Sequence, residues 1–350
     1  MLKRLSEQLV QRQSMTPSQV EDAVGHLADE SVPAHVKAVF LTRLAEKGET
    51  LEEIGAFAAA LRNRSIRPAL SDRLRQEDIL DVCGTGGDRL NTFNISTTVA
   101  LVAAAAGVAV AKHGNRAITS ASGSADVLEA LGVKIDLTPE QAADWLDRYG
   151  FAFFFAPLYH PAFKHIAPAR KLCAEKGQRT LFNFLGPLLN PVQPSVQLLG
   201  VARPHLCEPL AAVLRTSGVR RAMVVCGQVG DAYLDELSTL GESTVAEFYQ
   251  DRALSVSSLS PELFPIQKAR LDDLMGGDKR VNAGLVRQVI EGVDRGPKRD
   301  AVLLNAGAGL FLAGRTSSIA EGWVLAGEVI DSGKGLRKLE ELQAASAALG

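Results

Sequence analysis

The segment Asp81-Val-Cys-Gly-Thr-Gly-Gly-Asp-Arg-Leu-Asn-Thr-Phe-Asn-Ile-Ser-Thr97 decides how the rest of this chain is read. Residues 79–83 form a short apolar run suited to a strand. Gly84, Gly86 and Gly87 then supply a tight loop around Thr85 and Asp88, and an alanine-rich helix follows over 95–107. Glycine permits positive φ and lets a ligand approach the backbone amides closely. A strand, a glycine turn and a helix start together offer unpaired N–H groups and partial positive charge to an anion. The spacing matches neither the Walker pattern nor the dinucleotide fingerprint, so a phosphate role needs support from elsewhere in the chain.

Working outward, residues before the glycine loop read as helices only. Thr16-Pro17 is a cap with proline at the first helical position, opening a helix to about Ala28. A second amphipathic run covers 32–46, and Thr50-Leu-Glu-Glu53 is a capping box opening a helix to about Arg64. From Ile79 strands alternate with helices, the signature of a mostly parallel sheet. Strands are expected at 79–83, 108–112, 151–155, 197–201, 223–226 and 245–248, with helices at 95–106, 124–131, 139–149 and 206–217. The proline-rich stretch 157–194 interrupts the alternation, with helices expected at 159–171 and 180–185. After Leu271 the pattern is helical again, over 281–292, 299–313, 319–332 and 336–348. The fold class is therefore α/β. A small helical domain (1–70), completed by helices within 157–194, precedes a larger α/β domain (71–350) whose central sheet is flanked by helices.

Composition narrows the function classes. Among 350 residues, 46% are hydrophobic and 22% charged, the balance of an ordinary globular protein. The net charge of −2, from 38 basic and 40 acidic residues, argues against bulk nucleic-acid binding. The longest apolar run, 99–111, is broken by Gly107 and too short to span a membrane. The N-terminus lacks the apolar core of a secretion signal. Cys83, Cys173, Cys207 and Cys226 show neither metal-ligand spacing nor a disulfide framework, so a cytoplasmic protein with reduced thiols is expected.

Ligands of open parallel sheets sit beyond the C-terminal ends of the strands. The strand at 108–112 runs into Lys112-His-Gly-Asn-Arg116 and then Thr119-Ser-Ala-Ser-Gly-Ser124, which carry cations, hydroxyls and a second helix start at Ser124. Taken singly, such loops are often only turns. Side by side, the two suit a substrate with two phosphate groups. Asp235-Glu236 forms the third element. Adjacent carboxylates repel unless a cation lies near, and Mg²⁺ bound partly through substrate phosphates takes oxygen ligands of this kind. The alternative is a solvated acidic turn. Ser96, a hydroxyl at a helix start, lies where it could reach such a metal.

The ordered series Gly84-Thr-Gly-Gly-Asp88, Asn94-Ile-Ser-Thr97, Lys112-His-Gly-Asn-Arg116 and Ser122-Gly-Ser-Ala-Asp-Val-Leu-Glu129 closely resembles the anthranilate phosphoribosyltransferase family (glycosyltransferase family 3). The likeness continues through Leu185-Gly-Pro-Leu-Leu-Asn-Pro191, Leu234-Asp-Glu-Leu-Ser238 and Arg299-Asp-Ala-Val-Leu-Leu-Asn-Ala306. The resemblance implies transfer of the ribosyl phosphate of phosphoribosyl pyrophosphate (PRPP) to the amine of anthranilate, with Mg²⁺, in tryptophan biosynthesis. It also implies a homodimer formed through the helical domain, with no nucleic-acid or membrane partner. On that likeness Gly84, Gly87, Asp88 and Thr92 line PRPP, with Asn94, Ile95, Ser96 and Thr97 at its phosphates. Lys112, His113, Gly114, Asn115, Arg116, Ala117, Ile118, Thr119, Ser120 and Ser124 complete that pocket. Ser96, Asp235 and Glu236 hold magnesium, while Gly84, Asn115 and Arg170 meet anthranilate. A guanidinium such as Arg170 can take a carboxylate bidentately. No covalent nucleophile is called for. His113, the one candidate for a catalytic group, fits a loop- or pocket-shaping part better than that of an obligatory base. Tyr159 and His160 are secondary candidates near Arg170.

Two positions depart from the family pattern: Arg89 where glycine is usual, and Ala117 where serine is common. Arg89 either adds a cation near the pyrophosphate or only stiffens the loop. Two other readings share the architecture. A pyrimidine nucleoside phosphorylase would not need the paired acids for a pyrophosphate metal. A nucleic-acid-binding relative would need a strongly basic surface.

Overall fold

A computed structural model describes residues 1–117, 121–249 and 252–349. The chain opens with α1 (Leu2–Val10), α2 (Pro17–Ala28), α3 (Ala34–Lys47), α4 (Leu51–Asn63) and the short α5 (Asp72–Gln76). Next come β1 (Ile79–Gly84), α6 (Ile95–Ala105), β2 (Ala109–Gly114), α7 (Ser124–Ala130), α8 (Pro139–Tyr149) and β3 (Phe151–Phe155). A long crossover carries α9 (Ala156–Tyr159) and α10 (Phe163–Glu175) to β4 (Val196–Gly200). Then follow α11 (Cys207–Thr216), β5 (Arg221–Val229), β6 (Ala232–Leu234), β7 (Ser243–Tyr249) and β8 (Ser255–Leu259). The chain closes with α12 (Lys279–Ile290), α13 (Pro297–Leu312), α14 (Ile319–Asp331) and α15 (Lys334–Ala347).

Local chemistry sets the helix starts. The Thr16 and Thr50 side chains accept from the N–H groups of Gln19 and Glu53, and each of those side chains accepts in return from its cap residue's N–H. Thr138 and Gln141 do the same at α8. Glu53 does more than cap: buried, it also accepts from Met15 N at 2.9 Å and from Lys47 Nζ at 2.7 Å, tying the loop before α2 to α4.

Among the described residues the sheet has eight strands, ordered β3-β2-β1-β4-β5-β7-β8 with β6 beside β5. β1 to β5 are parallel, while β6, β7 and β8 add antiparallel pairs. From β1 the chain steps outward to β2 and β3, then returns to lay β4 on the other side of β1. The crevice beyond the C-terminal ends of β1 and β4 is thus the topological switch point, where open α/β sheets bind ligands. Strand side chains alternate between two cores. Leu80, Val82, Leu198, Met223 and Val225 share one core with α6, α8 and α12–α15, and Leu199, Val201, Val224 and Cys226 share the other with α11 and the N-terminal helices.

The interrupted stretch differs from its sequence expectation. The helix expected at 159–171 is two helices, α9 and α10, parted around His160, and α10 runs through an exposed Pro168, forgoing one hydrogen bond. The helix expected at 180–185 is a single 3₁₀ turn over Leu181–Asn183. β6 and β8 carry no apolar alternation to announce them. β8 is the serine-rich, mostly exposed edge strand Ser-Val-Ser-Ser-Leu, paired with β7. α10 packs on α3 and α2, bringing the crossover back to the N-terminal helices. Cys83, Cys173, Cys207 and Cys226 are all free and buried.

Gly84 and Gly200 are register partners at the ends of β1 and β4. A Cβ on Gly200 would lie 1.6 Å from the backbone oxygen of Asp235, where only backbone displacement relieves the clash. Gly200→Ala is expected to cost about 3 kcal/mol in urea unfolding, the upper end of ordinary overpacking. Gly177, at φ +67° with nothing around it, should cost about 1 kcal/mol on the same change. A Gly200 penalty no larger than that of Gly177 would refute the close approach.

Candidate active site

The glycine loop is shaped by what sits on it. Gly86 and Gly87 have φ of +72° and +83°. The Gly86 N–H donates to Asp235 Oδ2 at 2.7 Å, and Thr85 N donates to the Gly200 carbonyl at 2.9 Å. A Cβ on Gly84 would fall 2.2 Å from the same Asp235 oxygen. The loop, the switch point and the first acid are therefore one contact surface. Asp88 closes an Asx turn onto Leu90 N at 3.1 Å. Arg89 and Asn91 are left-handed at φ +63° and +54°. For a residue with a Cβ that conformation costs about 1 kcal/mol, which glycine would avoid. Arg89 is exposed; burial, then the charges of Arg203 and Arg89, lower the pKa of the Arg179 guanidinium.

The start of α6 faces the second acid. Ser96 N donates to Glu236 Oε1 at 3.1 Å. Below it Lys112, fully buried, donates from Nζ to the Val82 carbonyl at 2.7 Å and to Ser96 Oγ at 3.3 Å. Burial lowers the Lys112 ammonium, against the pull of Asp81, Cys83 and Glu236. Burial likewise pushes the Asp235 carboxyl well up, helped by Asp88 and Glu236, and raises Glu236 to about 7. Two neighbouring carboxyls, one buried and one half-buried, thus hold protons readily when no cation offsets them. Hard oxygen donors (two carboxylates and the Ser96 hydroxyl) suit a hard divalent cation that keeps other ligands from solvent or substrate. Among the described residues no cluster of three His, Cys, Asp or Glu side chains is assembled to hold a metal alone.

The loop after β2 is braced internally. Gly114 abuts Ser124, whose Oγ donates to the Asn115 carbonyl at 3.5 Å. Arg116 does not point free: its guanidinium donates to Asp126 and to both oxygens of Glu129, at 2.8–3.1 Å. The Ala117 amide donates to Asp126 Oδ2 at 2.9 Å. Ile118, Thr119 and Ser120 lie outside the described residues.

A third wall is aromatic. The His113 ring meets His160 edge-on at 5.2 Å, and His160 stacks on Phe163 at 5.2 Å. Phe163 meets Phe182 at 5.8 Å, and the Arg170 guanidinium lies 5.4 Å from the Phe182 ring centroid. Burial lowers the Arg170 pKa, and its Nη2 donates to the Phe182 carbonyl at 3.5 Å. Burial holds His113 down at about 3 and His160 at about 4, so both imidazoles are neutral near pH 7. The Nε2 atom of each is buried without a partner. The wall is thus uncharged along its length and cationic at one end.

Two family models match this chain: residues 3–65 fit the helical bundle domain of a glycosyl transferase family, and residues 76–336 fit its a/b domain. Anthranilate phosphoribosyltransferase of Brevibacillus brevis is 48% identical over 344 residues, spanning 98% of this chain and 97% of that one. The chain belongs to the anthranilate phosphoribosyltransferase family. It is accordingly a pentosyltransferase. The crystal structure of the Thermus thermophilus enzyme superposes with a TM-score of 0.88 at 40% identity, covering 98% of this chain and 99% of that one. The Saccharomyces cerevisiae enzyme in complex with PRPP and Mg gives 0.88 at 28% identity, covering 99% and 98%.

Of the positions that the family likeness singles out, Gly84, Gly87, Asp88, Ser96, Lys112, Asp235 and Glu236 gather at the switch point. Thr92 instead bridges to Met275, and Asn94 links Ser122 O to Asn282. Ile95 and Thr97 send their side chains into the core, leaving only backbone for a ligand. Several supports carry no chemical signature in sequence. Asn305, wholly buried in α13, donates to the Leu237 carbonyl at 3.0 Å and accepts from Leu237 N at 2.9 Å, holding the chain just after the paired acids. Asn282 accepts from Gly277 N and donates to Asn94. Asp81, buried under the loop, accepts from Asn190 Nδ2 at 3.0 Å, and burial raises it to about 6. The asparagines of the Leu-Leu-Asn-Pro and Leu-Leu-Asn-Ala motifs were the only cue to two of these.

The depressed histidines give a pH dependence with a definite sign. An imidazole held below its ordinary 6.5 stays neutral in the fold while the unfolded chain takes up a proton. Their contribution is complete above about pH 6.5 and is lost progressively as the pH falls toward 4. Each should add about 1.4 kcal/mol per pH unit to the slope of unfolding free energy in that window. The double change His113→Asn, His160→Gln should flatten the slope in urea unfolding between pH 6.5 and 4.5. Equal slopes for variant and wild type would contradict the buried neutral pair.

Proposed function

We propose that this chain transfers the 5-phosphoribosyl group of PRPP to the amine of anthranilate, in an Mg²⁺-dependent reaction that releases pyrophosphate, as a step of tryptophan biosynthesis. The observation carrying this reading is the seating of Asp235 on Gly84, Gly86 and Gly200 beside Glu236, Ser96 and Lys112. Breaking the bond from ribose C1 to pyrophosphate puts negative charge on the leaving group and positive charge on the sugar. Groups fixed before the reaction and aimed at the leaving group supply most of the stabilisation in such cases. Gly84, Gly87 and Asp88 shape the donor side, with the α6 start, whose Ser96 N–H already donates to Glu236, adding the partial positive charge of a helix N-terminus. Lys112 places a buried positive charge under Ser96 and Glu236. Ser96, Asp235 and Glu236 would hold Mg²⁺, which supplies charge neutralisation for the departing pyrophosphate.

On the acceptor side, Arg170 suits the anthranilate carboxylate and the run from His113 to Phe182 suits a flat ring. Asn115 stands exposed at the junction, its Oδ1 accepting from Arg116 N at 2.8 Å. A neutral His113 shapes this wall, and the aniline nitrogen is nucleophilic without a strong base, so positioning does most of the work. The helical unit, 1–70 with the crossover helices, and the α/β unit are proposed as the two domains. A cytoplasmic homodimer through the helical unit, where Val10, Val39 and Leu51 are exposed, belongs to the same proposal. No helix among the described residues is long and apolar enough to cross a membrane.

Anthranilate fluorescence should fall when PRPP and Mg²⁺ are added to the purified protein alone. Unchanged fluorescence under saturating conditions would sink the assignment. Asp235→Asn with Glu236→Gln should reduce turnover at least a thousand-fold while near- and far-UV circular dichroism stay unchanged. Activity retained by that variant in excess Mg²⁺ would remove the acids from the metal role.

A further inference from the structure

We propose that Asp126 is a positioning residue for the phosphoribosyl donor, acting by stapling together the two ends of the loop between β2 and α7. The proposal rests on the PRPP reading above. Asp126 is the third residue of α7 and touches both ends of that loop. Its Oδ2 accepts from Ala117 N at 2.9 Å and from Gly123 N at 3.0 Å, while Oδ1 accepts from Arg116 Nη1 at 3.1 Å. One carboxylate therefore serves three donors from two strands of chain.

The neck it closes is tight. A Cβ on Gly123 would sit 2.4 Å from Ala117 N and 2.7 Å from the Asn115 carbonyl, so the two backbones are in contact and only glycine fits. A second layer holds Arg116 from outside, since Glu129 also takes Lys279 Nζ of α12 at 3.4 Å. Burial favours the neutral acid, but the Ala117 and Gly123 N–H groups and Arg116 outweigh it and hold the Asp126 carboxyl below its ordinary range. Asp126 is thus a fixed anion whose lone pairs are committed to the loop.

This changes what the loop offers. The amide of Ala117, a residue the family likeness places at PRPP, is already occupied by Asp126, and the Arg116 guanidinium by Asp126 and Glu129. Those groups build the loop, and the ligand contacts fall to what the neck presents, Asn115 and Ser124 among the described residues. A carboxylate so placed has no reason to touch a phosphate, which it would repel. Its removal leaves the neck to be ordered by the substrate, and that ordering cost weakens PRPP binding more than anthranilate binding, since the wall from His160 to Arg170 lies outside the neck and only Asn115 is shared.

Asp126→Asn in the full chain tests this, because it keeps size and one acceptor while turning an NH₂ group toward donors. The expected result is a KM for PRPP raised at least ten-fold, a KM for anthranilate within two-fold of wild type, and amides 117 and 123 exchanging hydrogen at least ten-fold faster. Calorimetry with PRPP alone should show the same weakening. A PRPP KM within two-fold of wild type or below it, a proportional rise in both KM values, or failure of Asp126→Asn to fold each overturns the proposal. If wild type binds PRPP but does not consume anthranilate, the functional reading fails while the calorimetric comparison still decides the part of Asp126. If wild type does not bind PRPP, both fall.

Discussion

The contact on which the site depends is the seating of Asp235 against two glycines at the ends of neighbouring parallel strands. A methyl group on either Gly84 or Gly200 would occupy space that Asp235 fills. The Gly86 amide then fixes the carboxylate direction, and the buried Asn305 anchors the chain two residues further on through both backbone groups of Leu237. Everything placed at the switch point is measured from that seat: Glu236 reaches Ser96 N because Asp235 is fixed, and Ser96 reaches Lys112 because α6 starts there.

Electrostatics explain why the seat is built so firmly. Two adjacent carboxyls, Glu236 buried and Asp235 half-buried, lie beside one buried ammonium, and withdrawal from water raises the carboxyls and lowers the ammonium. Groups free to move would turn toward water and relieve the penalty. Backbone hydrogen bonds and missing Cβ atoms prevent that, so the charges remain where a polyanionic ligand with a divalent cation would complete them.

Sequence reading reached the parallel sheet, the helix starts and the chemically loaded segments, because each has a local signature. Thr50-Leu-Glu-Glu53 caps as its spacing says, and Gly84-Thr-Gly-Gly-Asp88 does follow a strand and precede a helix. Supports with no local signature escaped it. Asn305 is 68 residues from the backbone it holds, and Asp126 reads as an ordinary helix acid until its three donors are seen. Arg116 looked like a phosphate cation because its sequence neighbours are glycine and asparagine, yet Asp126 and Glu129 claim it. β8 stayed hidden since an exposed serine-rich edge strand has no apolar face to display.

The crossover from β3 back to β4 has a consequence for how the two halves of the site can diversify. Arg170, His160 and Phe163 all belong to that excursion, whereas Gly84, Ser96, Lys112 and Asp235 belong to the sheet and the helix beginning at its edge. His113 reaches from one set to the other through its ring contact with His160, and Asn190 of the excursion does so through Asp81 and the Ala111 carbonyl. Exchanging the excursion for another of similar length would thus change the aromatic wall while Ser96, Lys112 and the paired acids keep their places, provided the exchange retains an equivalent of Asn190. The site is in this sense modular: a replaceable wall is joined to the sheet by an imidazole pair and one buried asparagine.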